Sequence, residues 1–349
     1  MAYTNIDDPS AYFQSLTYTG NSSSPRDLVN DGNSDLQPDL VWVKGRSHAD
    51  IHLLYDSSRG GGKFLRSAST AAENTGGYGV TAFNSDGFRT NAYAYTNENT
   101  HTYVAWQWKV NGGTTTSLTA NINSVCQVNQ DAGISIVKYT CTGGGNGQSV
   151  QHGLGLVPQV IITKNRTDTS YSDWITYHHT LTKDNFVKLN STAASATNSP
   201  YNGANPTSST YNVSIDLVEQ KDYVSYVFAP IQGYSKFGSY VGNGNADGTF
   251  IYTGFKPAWV MIKRTTGNGT HQWYIYDNKR DEANVMEQVL QAQGDNAETT
   301  SSNKLDFLSN GFKQRSNTQT TNTSGASYIY MAFAENPFVT STGVPTTAR

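Results

Sequence analysis

Apolar residues in this chain come as short runs bounded by proline, glycine or polar turns, and seldom at helical spacing. Three runs share one form: Pro38-Asp-Leu-Val-Trp-Val-Lys44, Pro158-Gln-Val-Ile-Ile-Thr-Lys164 and Pro257-Ala-Trp-Val-Met-Ile-Lys263. β-Branched and aromatic side chains suit a pleated, buried surface, and a proline that opens a strand loses no ladder hydrogen bond. The runs therefore predict buried strands. Tyr103-Val-Ala-Trp106, Tyr223-Val-Ser-Tyr-Val-Phe228 and Tyr328-Ile-Tyr-Met-Ala-Phe333 predict a second such set. Asp86-Gly87 and Asn310-Gly311 lie between phenylalanines and predict hairpin turns, because Asp, Asn and Gly tolerate positive φ. One segment argues for a helix: over residues 281–293, Met286, Val289 and Leu290 follow helical spacing and Gly294 can end it.

The runs recur in a fixed order. Between the two strand sets stand His52-Leu-Leu-Tyr55-Asp56, Trp174-Ile-Thr-Tyr177-His178 and Trp273-Tyr-Ile-Tyr276-Asp277. The segment holding Asp86-Gly87 has a counterpart around Asn310-Gly311 and no clean one in the middle of the chain. An ordered set of blocks occurring three times predicts three diverged copies of one unit. Short strands at turn-bounded intervals predict an all-β fold of tandem β-sandwich modules. The expected divisions are an arm at 1–17, modules at 18–112, 133–232 and 233–340, a linker at 113–132 and a tail at 341–349. Long loops rich in Thr, Ser, Asn and Gly, such as 192–210, are expected at the surface.

Composition sharpens this picture. Only 15% of residues are charged and 36% hydrophobic, a balance that alone suggests disorder. Yet 22 Tyr, 13 Phe and 6 Trp supply the large buried areas a folded β protein needs. A net charge of −3 with no cluster of Lys or Arg gives no electrostatic reason to expect nucleic acid. The N-terminus has no basic region followed by an apolar run, and no apolar segment is long enough for a membrane-spanning helix, so neither a secretory signal nor membrane insertion is expected. Cys126 and Cys141 are read as two free thiols, with pairing reserved for an oxidising medium, since two cysteines do not make a disulfide scaffold.

Several local motifs resemble sites and fall short of them. Gly60-Gly-Gly-Lys63 lacks the first glycine of a phosphate loop and is followed by Phe64, and the Gly143–Gly147 run precedes no helix pattern. Asp31-Gly-Asn33-Ser-Asp35 begins like a calcium loop but has Leu36 at the glycine position. His178 and His179 are adjacent, so in a strand they point to opposite faces and are poorly placed to share a metal. No nucleophile elbow and no nominated carboxylate pair appears, so no catalytic residue, metal or cofactor is expected. Two features remain as candidates for ligand binding. Asp56 with Arg59 and Asp277 with Arg280 repeat at the same place, as ligand-binding pairs or as ion pairs closing a strand end. Trp174 and Trp273 also occupy one position, either for stacking on a sugar or for core packing.

Taken together, the blocks resemble virion proteins of tailed bacteriophages, especially marine and cyanobacterial ones. The resemblance is carried by Asp8-Pro-Ser-Ala-Tyr-Phe13, Tyr18-Thr-Gly-Asn21, the Pro38–Lys44 run, Tyr103-Val-Ala-Trp-Gln-Trp108 and Tyr328-Ile-Tyr-Met-Ala-Phe-Ala-Glu335-Asn-Pro-Phe338. It implies lectin-like, concanavalin- or SPRY-like jelly-roll sandwiches on the particle exterior, assembled in the host cytoplasm. The expected role is a non-enzymatic tail-fibre or tailspike component that contributes to recognition of host-surface glycans. A capsid-decoration or head-fibre role and a polysaccharide depolymerase are the alternatives. Other phage structural proteins are the expected partners, with a homo-oligomer, a trimer by analogy with fibres.

Overall fold

The computed structural model describes residues 2–142, 147–169, 172–198, 200–201, 204–213, 220–317 and 320–346. The Gly143–Gly147 run thus lies almost wholly outside the described residues. Its first eight strands are β1 (Phe13–Thr19), β2 (Arg26–Leu28), β3 (Leu40–Gly45), β4 (Leu53–Asp56), β5 (Leu65–Arg66), β6 (Val80–Phe83), β7 (Phe88–Thr90) and β8 (Thr102–Trp108). The next nine are β9 (Thr116–Leu118), β10 (Ser124–Asn129), β11 (Ile134–Thr140), β12 (Gln148–Gln151), β13 (Val160–Asn165), β14 (Ile175–His178), β15 (Val187–Lys188), β16 (Thr210–Val213) and β17 (Asp222–Phe228). The last eight are β18 (Ser235–Val241), β19 (Phe250–Tyr252), β20 (Phe255–Arg264), β21 (Trp273–Asp277), β22 (Met286–Gln291), β23 (Thr299–Leu308), β24 (Gly311–Gln314) and β25 (Ser327–Pro337).

The fold is all-β, built from antiparallel sheets packed as sandwiches. A first sheet runs β1-β8-β3-β4-β5, and a second contains β11-β17-β13-β14-β15. A third begins β18-β25-β20-β21-β22. The strand order is the same in all three. Each Pro-to-Lys run forms a strand beside the closing aromatic strand, as β3·β8, β13·β17 and β20·β25. Pro38 and Pro158 stand before their strands, whereas β20 starts at Phe255 and its register shifts on either side of Pro257. A proline inside a sheet needs such an irregularity, because it has no N–H for the ladder.

Alternation along these strands sends side chains to two cores. Trp42, Trp106, Ile136, Ile162, Tyr226, Trp259, Met261 and Met331 all point into one core shared by the three sheets. Their neighbours Val41 and Ala105, Ile161 and Val227, and Val260 and Ala332 point outward into three separate cores. Each outer core is covered by a smaller layer, β2-β7-β6 over the first sheet and β12-β16 over the second. Over the third, the sheet itself continues through β22 into β23-β24-β19. Three sandwiches therefore close around a common centre.

The hairpin turns form as expected, with Phe83 paired to Phe88 and Leu308 to Gly311. Both glycines are required by close approach: an added Cβ would meet the Leu28 carbonyl oxygen at 2.0 Å from Gly87 and that of Ile251 at 2.1 Å from Gly311. The middle sandwich lacks the turn motif but has an equivalent strand, since Val150 faces Tyr211 as Leu28 faces Phe88 and Ile251 faces Phe312.

Three expectations fail. Residues 286–291 form β22, not a helix. The strand is buried on both faces, Val289 in the outer core and Leu290 in the shared one, and a register shift after Met286 turns that residue to the Val289 face. A bulged, doubly buried strand thus mimics helical spacing. Residues 113–132 are not a linker, because β9 and β10 within them extend the second sheet beyond β11. Likewise β1 begins at Phe13, inside the expected arm.

Candidate functional site

The residues singled out for ligand binding all lie at the junctions between the three sheets. Trp174 and Trp273 are 0% and 1% exposed, so neither presents a ring face to a sugar. Each indole Nε1–H donates to the last residue of a strand in the preceding sheet: Trp174 to the Arg66 carbonyl at 2.8 Å, and Trp273 to the Lys188 carbonyl at 2.9 Å. In the first sheet the position is His52, whose Nδ1 accepts from Trp42 Nε1 at 2.9 Å. Burial holds the His52 imidazole well below its usual pKa, with the Gln291 backbone of the third sheet beside it. A buried indole needs a partner for its one donor, and here the partner belongs to another sheet.

The Asp/Arg pairs are equally internal. Arg59 donates from its backbone N to Asp56 Oδ1 at 2.8 Å, from its Nε to Asp56 Oδ2, and from a terminal nitrogen to the Leu54 carbonyl at 2.8 Å. Arg280 repeats this with Asp277 at 3.0 and 2.5 Å and with the Ile275 carbonyl at 2.8 Å. All four side chains are fully buried. Each aspartate then accepts from the next sheet: Asp56 from the Tyr226 hydroxyl at 2.8 Å and Asp277 from Trp106 Nε1 at 2.9 Å. Each arginine reaches a glutamate that a second arginine from another sheet also holds. Glu73 bridges Arg59 and Arg166, and Glu298 bridges Arg280 and Arg46, with closest contacts of 2.8–3.1 Å. Burial works against the charge on Arg59, but Asp56, Tyr226 and Glu73 more than offset it and its pKa is raised. Burial alone would raise Glu73, and the Arg166 hydrogen bond and the Arg59 charge bring its carboxyl below the usual value.

Three buried lysines complete the junctions. Lys44 Nζ donates to the Asp295 carbonyl at 3.3 Å, Lys164 Nζ to Thr70 at 3.2 Å, and Lys263 Nζ to Ser191 at 3.0 Å. The backbone N–H of Glu73, Ser195 and Glu298 donates to the carbonyl of Arg166, Thr265 and Arg46, at 3.1 Å or less. Every junction therefore carries the same lysine and backbone bonds, and two of the three add charge. The junction of the second and third sheets is neutral. His178 stands where Asp56 and Asp277 stand, and its Nε2 lies 3.2 Å from the Tyr330 carbonyl. His179 Nε2 lies 3.0 Å from that of Phe237, so the adjacent histidines both hold the third sheet.

Sequence reasoning missed Glu73, Glu298, Arg46, Arg166, Tyr226 and Trp106. One signal was present: Lys-x-Arg ends the first two Pro-to-Lys runs at Lys44–Arg46 and Lys164–Arg166. Cys126 and Cys141 are buried and not disulfide-bonded. Among the described residues no group of three or more His, Cys, Asp or Glu is placed to hold a metal ion, and no helix is long and apolar enough to cross a membrane.

What faces solvent differs between the three sandwiches. The outer-layer residues flanking the equivalent Leu28, Val150 and Ile251 are Asp27 and Val29, Ser149 and Gln151, and Phe250 and Tyr252. The last two are 44% and 48% exposed. The chain belongs to the DUF7483 family, a domain of unknown function whose model matches residues 8–337. Neither the curated proteins nor the solved structures contain a match.

Proposed function

We propose that the chain is a non-enzymatic structural protein of the exterior of a bacteriophage particle, a tail-fibre or tailspike-type component that contributes to recognition of host-surface glycans. The observation that carries this reading is where the polar chemistry sits. The ion pairs, buried lysines and indole donors tie the three sheets together, which suits a rigid scaffold. Surface loops rich in Asn, Ser, Thr and Tyr remain for adaptable contacts with polar ligands. The sequence resemblance supports the phage assignment, and the equal strand orders and equivalent junction bonds support descent of the three sandwiches from one repeated unit. The shared core is closed within one chain, so a homotrimer of such a fibre assembles through outer surfaces. Sedimentation is then expected to give the mass of three chains.

The test is to locate the chain by cryo-EM of the intact particle and to compete adsorption with the purified protein. Density on the tail with inhibited adsorption is the expected result. Density on the capsid lattice, with adsorption unaffected, would replace this reading with capsid decoration.

A further inference from the structure

The second sheet has an edge that the other two lack. Strands β1 and β18 end their sheets, whereas the equivalent β11 is continued by β10 and β9. This added pair stands opposite the exit of β8 and leaves a cleft of about 660 Å³, within the size range of small-ligand sites, about 300–1,000 Å³. Tyr12, Lys109 and Asn111 line one side, and Leu118, Gln130 and Asp131 the other.

The frame of this cleft is firmly bonded. Asp39 accepts from the backbone N–H of Val110, Gly112 and Gly113 at 2.7–3.0 Å, and Gln127 Oε1 accepts from that of Asn111 at 2.9 Å. Asn129 joins the two sides by donating to the Val110 carbonyl at 2.9 Å. The rim is different. Among the described residues, the Tyr12 hydroxyl, the Lys109 ammonium and the Asp131 carboxylate have no hydrogen-bond or ion-pair partner. Gln130 spends its Nε2–H on the Gly153 carbonyl at 3.0 Å and keeps its Oε1. The Tyr12 ring is held edge-on against Tyr234, with centroids 5.9 Å apart.

These groups select a ligand class. The rim offers a donor, an acceptor and a hydroxyl that is both, so it suits a ligand with many groups of dual character. Its two charges are opposite, so an anion meets Asp131 and a cation meets Lys109. The Leu118 side chain and the Tyr12 ring offer apolar contact to a carbon-bearing ring face. We propose that this cleft binds a neutral saccharide segment, through Tyr12, Lys109 and Asp131. The proposal rests on the glycan-recognition reading above and adds to it the place and charge of the ligand.

The test uses the full chain against an array of neutral and acidic bacterial oligosaccharides, followed by calorimetry with the best-bound neutral one. Asp131→Asn and Lys109→Met alter side chains that support nothing else in the fold. Each is expected to weaken binding at least about tenfold, the worth of a hydrogen bond to a charged group. Tyr12→Phe is expected to weaken it less, and a Phe250→Ser/Tyr252→Ser double variant to leave it unchanged. Binding that survives all three cleft variants, or that moves only with the Phe250/Tyr252 variant, overturns the cleft and leaves glycan recognition standing. Preference for acidic glycans, lost in Lys109→Met alone, overturns the neutral class. Absence of any glycan binding overturns the cleft, and if the protein also fails to compete adsorption, the receptor-binding reading falls with it.

Discussion

The two charged junctions and the neutral one share a backbone geometry and differ in what fills it. At the junctions of the first sheet with the second and third, an Asp/Arg pair faces a donor from the adjacent sheet, Tyr226 or Trp106. At the junction of the second and third sheets, His178 replaces the aspartate, and Leu181 stands three residues on, as Arg59 and Arg280 do in the charged pairs. Met331 occupies the strand position of Trp106 and Tyr226, without a hydrogen to donate. The glutamate is replaced by Ser195 and the second arginine by Thr265, yet the Ser195 N–H still donates to the Thr265 carbonyl. The set changes together. Closure of the molecule therefore rests on backbone bonds, lysines and apolar packing, and the ion networks are additions to it. Buried ion pairs often gain little over apolar packing but cost much when half-removed.

That asymmetry yields the largest expected effect. Asp277→Ala leaves Arg280 in a buried site with Glu298 alone and strips Trp106 Nε1 of its acceptor. We expect a loss of about 3–5 kcal/mol in urea unfolding of the full chain, and a similar loss for Asp56→Ala. A change below about 1 kcal/mol in both would mean that the networks are as dispensable as surface pairs.

Transplanting charge into the neutral junction is the next step down. His178→Asp alone buries a carboxylate near the Tyr330 carbonyl, with Leu181 at the arginine's position, and is expected to cost about 2–4 kcal/mol. Adding Leu181→Arg, Ser195→Glu, Thr265→Arg and Met331→Tyr rebuilds the set found at the other junctions. Recovery of at least half the loss is expected, and additive losses across the set would show that the junction geometries are not interchangeable.

Two tryptophans sharpen the comparison further. Trp273 Nε1 is bonded across its junction, whereas Trp259 Nε1 is buried with no partner among the described residues. Replacing a bonded donor costs about 1 kcal/mol, and removing an unsatisfied one does not. Trp273→Phe should therefore lower stability by more than Trp259→Phe does, by about that amount. The reverse order would contradict the assignment of Trp273 as a junction residue.

These contrasts also mark what was legible in the sequence. Buried strands were legible at Pro38–Lys44 and its two counterparts, because period, β-branching and flanking turns agree locally. The pairing of Asp56 with Arg59 was legible as a choice between two roles. What decided it was Tyr226, 170 residues away in the chain and beyond any local pattern. The Trp174 and Trp273 positions were found, but their exposure depends on Arg66 and Lys188 in other sheets. Residues 286–291 misled because alternation and helical spacing overlap in a bulged strand buried on both faces.

The smallest step concerns the lysines common to all three junctions. Burial lowers Lys44 to about 8, partly offset by Asp50 and Asp295, and Lys164 to about 8, partly offset by Asp173. Lys263 falls to about 7 through burial alone. In the unfolded chain each titrates near ~10.4. Between the two values the unfolded chain binds more protons than the folded one, so stability rises with pH. This is the opposite of a lysine stabilised by an ion pair. The rise begins near pH 7 with Lys263, is joined near pH 8 by Lys44 and Lys164, and ends as pH passes ~10.4. Each contributes at most about 1.4 kcal/mol per pH unit. The Cys126 thiol, pushed up by burial to about 11, opposes the trend, because the unfolded thiol ionises above ~8.5. The buried His52, His152, His178 and His179, each held below its usual value by burial, add to the rise while the unfolded imidazoles still bind protons, so Lys263 is isolated by the difference between the native chain and a variant. Urea midpoints should climb between about pH 7 and 8 in the native chain and climb less steeply in Lys263→Met. Equal slopes in the two chains would mean that Lys263 keeps its proton while buried, held by the Ser191 and His271 carbonyls more strongly than burial disfavours the charge.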